Sequence, residues 1–186
     1  MKRLFAAVKI NPNENFLKSF RILSSGLKTE SIKWVEEHNI HITIKFFGET
    51  EERLIPGISE HMKGISKNTP MLNFCLSGLG IFGSSYQPKV IWTGIEPFEQ
   101  LSSLMKRTRT EMEKIGFESD RQNIVPHLTL GRIKFLKDKE LFRKSLEVNR
   151  NIRSEPMMVK ECILFESILR KEGPEYITLE KFPFGY

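Results

Sequence analysis

Apolar positions along this chain recur with two periods, near two and near 3.6 residues, and the two alternate from one end to the other. Alternating or continuously apolar runs, the pattern of strands, fall at residues 4–10, 32–35, 40–47, 72–82, 90–95, 125–133, 157–169 and 176–182. Helical spacing appears in Phe16, Phe20, Leu23 and Leu27, with Gly26 as a stop, and in Leu54, Ile58, Met62 and Ile65, with Thr50 as N-cap ahead of Glu51 and Glu52. It returns in Phe98, Leu101, Met105, Thr108, Met112 and Ile115, closed by Gly116, and in a short run at Leu141, Phe142, Ser145 and Leu146. Asn11-Pro12-Asn13 ends the first strand, Pro126 suits a strand start, and Lys171-Glu172-Gly173-Pro174 reads as a turn. Strands that follow one another without a helix between them pair antiparallel. The chain therefore predicts an α+β fold: a single bilobal domain over residues 1–186, two similar lobes of antiparallel sheet with outer helices.

Two of the strands echo each other. His41-Ile42-Thr43-Ile44 and His127-Leu128-Thr129-Leu130 both read His, apolar, Thr, apolar. Alternation sends Ile42 and Ile44 to a core and turns His41 and Thr43 the other way together, and the same holds for Leu128 and Leu130 against His127 and Thr129. A lone histidine on a strand is more often structural than catalytic, but two of the chain's four histidines share this frame. A central cleft between the two strands would hold two imidazoles and two hydroxyls, the equipment for acid–base chemistry on a phosphate ester. His38 and His61 lack the threonine partner and read as surface positions.

Composition narrows the rest. The 186 residues are 39% hydrophobic, enough for a sizeable core, and the formal net charge is +6, which favours polyanionic partners. No apolar run reaches membrane-span length and residues 1–8 turn polar too soon for a signal peptide; with Cys75 and Cys162 in apolar runs and in no metal or disulfide spacing, a cytoplasmic protein with buried free thiols is expected. Neither motif has a carboxylate on its histidine face, and Gly-rich phosphate loops are absent, so no metal and no cofactor is expected. On strict alternation Arg132 faces away from His127.

The paired motifs, together with Lys2-Arg3-Leu4-Phe5-Ala6, Trp34, Phe46-Phe47-Gly48-Glu49, Pro88-Lys89-Val90-Ile91-Trp92 and Gly131-Arg132, resemble the 2H phosphoesterase superfamily over essentially the whole chain. Within it the similarity is to the bacterial and archaeal RNA 2′,3′-cyclic phosphodiesterases, historically called 2′-5′ RNA ligases. The family often has Arg where Lys89 stands and Leu where Phe47 stands. The resemblance implies hydrolysis of RNA 2′,3′-cyclic phosphate ends to 2′-phosphomonoesters without a metal. It makes His41 the proton donor and His127 the proton acceptor, an orientation the near-symmetric motifs do not supply by themselves. Thr43 and Thr129 would bind the phosphate, with Arg132 and Lys89 as further phosphate candidates and Phe46, Tyr86 and Trp92 as base-stacking candidates. Expected partners are RNA ends, tRNA fragments among them, or cyclic nucleotides, with no membrane, and the protein is expected to be a monomer. The alternatives are 2′-5′ RNA ligation as the reverse reaction and a non-catalytic nucleotide-binding module.

Overall fold

The first strand carries an unbroken run of five buried residues, Leu4 to Val8, and that run fixes its place in the interior. In the computed structural model, which describes residues 1–118, 124–171 and 173–185, strand β1 (Lys2–Lys9) lies inside a four-stranded sheet. Leu4, Ala6 and Val8 pack into the main core, while Phe5 and Ala7 join Ile163 and Phe165 in a separate apolar cluster on the opposite face. A strand buried on both sides reads as continuously hydrophobic instead of alternating. Its sheet has the order β3-β1-β8-β9, with β3 (His41–Thr50), β8 (Glu161–Leu169) and β9 (Pro174–Pro183). The second sheet has the order β2-β6-β5-β4-β7, with β2 (Ser31–Trp34), β4 (Leu72–Gly83), β5 (Pro88–Glu96), β6 (Leu128–Phe135) and β7 (Met157–Val159). Neighbouring strands in both sheets run antiparallel.

Four helices cover the outer faces. Helix α1 (Glu14–Gly26) buries Phe16, Phe20 and Leu23, and Phe20 meets the Trp34 ring of β2 edge-on at 5.8 Å. Helix α2 (Ile55–Lys67) packs against β8 and β9, and α3 (Glu99–Glu113) against α2 and β3. Helix α4 (Lys139–Val148) buries Phe142 and begins at Asp138, whose carboxylate accepts from the Glu140 and Leu141 amides at 2.9 Å each, as an N-cap should. Two sheets facing each other with outer helices is the α+β architecture expected from the sequence. Among the described residues no helix is long and apolar enough to cross a membrane, and Cys75 and Cys162 are buried free thiols.

Several local expectations need correction. Thr50 caps no helix: it ends β3 and its hydroxyl donates to the Gly48 carbonyl, and a 3-10 turn at Glu52–Leu54 leads into α2. Strand β3 also runs past Gly48, whose φ of +73° is open to glycine. The apolar run at 157–169 is two strands, because at Lys160 the chain leaves one sheet (β7) for the other (β8). The second motif strand begins at Leu128, so His127 stands just ahead of it. Of the turn expected at 171–174, Glu172 lies outside the described residues.

The two motif strands share an irregularity. Across β1–β3, Ala6 pairs with Lys45 and Ala7 with Thr43, which leaves Ile44 as an extra residue. Across β5–β6, Ile91 pairs with Gly131 and Trp92 with Thr129, which leaves Leu130 extra. Each is a β-bulge at the fourth residue of its motif, and each reverses the alternation beyond it. Gly131, next in line, lies under β2: a Cβ there would stand 2.9 Å from both Ile32 Cγ2 and Trp34 Cε3. Gly131→Ala is expected to lower stability by about 1–3 kcal/mol, the usual cost of overpacking, whereas Gly64→Ala, with open space around it in α2, should gain roughly 0.5–1 kcal/mol. Urea unfolding checks both, and a Gly131→Ala protein as stable as the parent would contradict the close packing of β2 on β6.

Candidate active site

His41 opens β3 and His127 immediately precedes β6, so each imidazole sits where a strand begins and faces the groove between the sheets. Each is held by the same device. His41 Nδ1 lies 2.6 Å from the Asn39 carbonyl and His127 Nδ1 lies 2.7 Å from the Val125 carbonyl, in both cases two residues back. A carbonyl only accepts, so Nδ1–H donates and Nε2 is left for proton transfer in the cleft. Aromatic rings fix the rest of each imidazole. Phe5 at 5.1 Å and Tyr176 at 5.2 Å box His41; Phe82 at 4.7 Å and Trp92 at 6.2 Å box His127.

The cleft has a volume of about 530 Å³ and brings His41, Thr43, His127, Thr129, Arg132 and Phe46 onto one wall system. Arg132 corrects the strict-alternation expectation. The bulge at Leu130 turns it back to the side of His127, and the guanidinium acts electrostatically on both histidines. Phe46 reaches the cleft for the same reason, since the bulge at Ile44 precedes it; the two residues occupy the same position, five after the histidine, in their respective motifs. Phe46 is 46% exposed and carries the Arg3 guanidinium 4.9 Å above its ring.

Other sequence candidates lie elsewhere. Lys89 is exposed near the β4–β5 hairpin end, does not line the cleft, and so departs from the expected phosphate role. Tyr86, in the same hairpin, is 83% exposed and also outside the cleft wall. Trp92 stands behind His127 as support and is not an open stacking face: its ring lies over Gly80, where a Cβ would come within 2.2 Å of it. Its buried Nε1 has no hydrogen-bond partner among the described residues. His38 is exposed, with Nε2 3.2 Å from the Glu36 carboxylate. His61 is half-buried, not superficial, and bridges α2 to Glu111 of α3 at 3.2 Å.

Three cleft residues escape the sequence reading. Lys33 lies directly opposite Arg132 in the β2–β6 ladder, and both line the cleft. Like charges so placed repel, and an anion between them removes the repulsion. Tyr176 and Arg170 come from the β8–β9 hairpin, with Arg170 steadied by Glu175 at 3.0 Å. The alternation of Lys33 with Ile32 and Trp34 carries a signal for its face, but nothing local ties it to either motif. Burial is the first cause that pushes both histidine pKa values below the ordinary value, against the backbone hydrogen bonds, with the Arg132 charge adding to the decrease. The arrangement is two neutral, oriented imidazoles facing a site that wants negative charge.

The family described as LigT like Phosphoesterase matches residues 8–92 and 95–176. An RNA 2′,3′-cyclic phosphodiesterase of Thermotoga maritima is 32% identical over 184 residues, 98% of this chain and 95% of that protein. One of Archaeoglobus fulgidus is 32% identical over 186 residues, 97% of this chain and 99% of that protein. A crystal structure of a Thermus thermophilus protein superposes with a TM-score of 0.80 at 24% identity, covering 98% of this chain and 97% of that one, and shows the same fold.

The depressed histidines bear on stability. A histidine whose folded pKa is lowered binds its proton more readily unfolded, so its contribution is intact above about pH 6.5 and is lost as pH falls through the folded value. His41→Asn/His127→Asn is therefore expected to lose less stability than the parent between pH 8 and pH 5, measured by urea midpoints. Parallel losses in the two proteins would contradict the burial of neutral imidazoles.

Proposed function

The chain belongs to the LigT-like phosphoesterase family and is a phosphodiesterase, and we propose that it hydrolyses RNA 2′,3′-cyclic phosphate ends with His127 as base and His41 as acid. The observation that carries this reading is the paired, carbonyl-oriented imidazoles on opposite sheets of one cleft. In-line displacement at phosphorus needs the attacking and leaving oxygens on opposite sides, and one histidine from each sheet suits that demand. Water gives its proton to His127 Nε2 as its oxygen bonds to phosphorus. The P–O3′ bond breaks, His41 Nε2–H protonates the leaving 3′ oxygen, and a 2′-phosphomonoester remains. His127 ends protonated and His41 neutral, and exchange with solvent restores both.

Thr43 and Thr129, half-buried on the cleft wall, are suited to donate to the non-bridging oxygens. Arg132 and Lys33 supply the positive field in which negative charge builds up. Phe46, with Arg3 across its ring, offers a stacking face for the terminal base. The assignment of acid to His41 and base to His127 rests on likeness to the family, since the two imidazoles are held alike. Every proton-transfer group in this scheme is a side chain of the chain itself, so the reaction needs no metal.

RNA ending in a 2′,3′-cyclic phosphate, incubated with the protein in EDTA, is expected to yield the 2′-monoester. His41→Ala and His127→Ala should each cost about 10²–10⁴-fold in kcat with the circular dichroism spectrum unchanged. A 3′-monoester product, a requirement for a divalent ion, or near-parental turnover in either variant would defeat the two-histidine scheme.

Because one imidazole must be charged while the other is neutral, kcat/KM is expected to follow a bell in pH. Both histidines are displaced downward in the free protein, so the maximum should lie below about 6.5. The bell in kcat should lie higher, since the bound phosphate anion favours the imidazolium. A kcat/KM profile that still climbs above pH 8 would remove the acid.

A further inference from the structure

Beside the cleft lies a second cavity of about 380 Å³ that shares part of its lining with it. His41, Asn39 and Tyr176 line both spaces, and the Tyr176 ring stands edge-on to His41 at 5.2 Å. Phe165 and Thr178, cross-strand partners in the β8–β9 ladder, form one wall of the second cavity. Lys9 lines the same cavity. It pairs with His41 across β1–β3, so the two side chains share a face with Cβ atoms roughly 4.5–5.5 Å apart.

The charges of this cavity are unevenly engaged. Glu36 is bonded to His38 at 3.2 Å and Glu175 to Arg170 at 3.0 Å. Lys9 is exposed and has no ion pair among the described residues. An unengaged ammonium thus stands one ladder rung from the acid that protonates the leaving oxygen, in a space that continues the cleft past the Tyr176 ring. That is the chemistry of a second phosphate–sugar unit: a diester anion for the ammonium, and a sugar and base for the cavity.

We propose that this cavity receives the nucleotide preceding the reacting end, with its phosphodiester on Lys9 Nζ. The inference rests on the phosphodiesterase reading above and adds to it a place, and a charged contact, for the nucleotide upstream of the RNA end. Thr178, exposed at the cavity wall, admits a large side chain without disturbing a core.

The test compares a 2′,3′-cyclic mononucleotide with the dinucleotide that carries the same cyclic end, using the full chain, Lys9→Gln and Thr178→Trp. The parent is expected to prefer the dinucleotide roughly tenfold or more in kcat/KM, the worth of one charge-assisted contact. Each variant should erase about tenfold of that preference while mononucleotide hydrolysis, which also reports the folded state, stays within about twofold. Lys9→Gln should in addition reduce the slope of log(kcat/KM) against log[salt] for the dinucleotide by about 0.7. Equal losses on both substrates, or an undiminished dinucleotide rate in both variants, would overturn the subsite while leaving the phosphodiesterase intact. Failure of the parent to hydrolyse either substrate would overturn the activity, and the subsite with it.

Discussion

One inserted residue in each ladder governs the site. The bulges at Ile44 and Leu130 let a single strand serve two masters: up to the threonine it faces the cleft at odd positions of the motif, and beyond the bulge it faces the cleft at even ones. Without the slip, Arg132 and Phe46 would point into the helix-covered layer, where an unpaired guanidinium is costly. With it, a cation and an aromatic ring join the histidines and threonines. The slip also breaks the site's symmetry, because the matched positions hold different chemistries: positive charge on one sheet and a stacking face on the other.

Electrostatics follows from that placement. Burial keeps both imidazoles neutral, and the Arg132 charge reinforces the preference. The cleft by itself is thus frustrated in one respect, with two cations opposed across a ladder, and satisfied in another, with its imidazoles uncharged. A phosphate reverses both: it relieves the opposed cations and favours one imidazolium. The ligand's charge therefore helps to bring about the protonation state that its own cleavage requires.

Much of this is legible in the sequence, for identifiable reasons. His41, Thr43, His127 and Thr129 stand out because period two and a repeated frame are local signals, and the helical stripes through Phe16–Phe20–Leu23 and Leu101–Met105–Met112 fall on buried faces. The bulges leave no trace, since Ile44 and Leu130 look like any other core positions. Strict alternation consequently puts Arg132 on the wrong face. The break at Lys160 is hidden by apolar residues on both sides of it. The aromatic boxes are illegible for a different reason: Tyr176 is brought to His41 by the ladders β3–β1–β8–β9, and no periodicity reports a contact across so much chain.

The order in which the chain visits the two sheets has a mechanical consequence. It starts in one sheet with β1, crosses for β2, returns for β3, crosses again for β4 and comes back between β7 and β8. A clamshell that opens by swinging one lobe would have to bend four crossings at once. Relative motion of the two walls of the groove is accordingly resisted by four connections and not by a single hinge. A site framed in this way has its two imidazoles tied to each other through the connections of the chain as well as through the packing of the sheets.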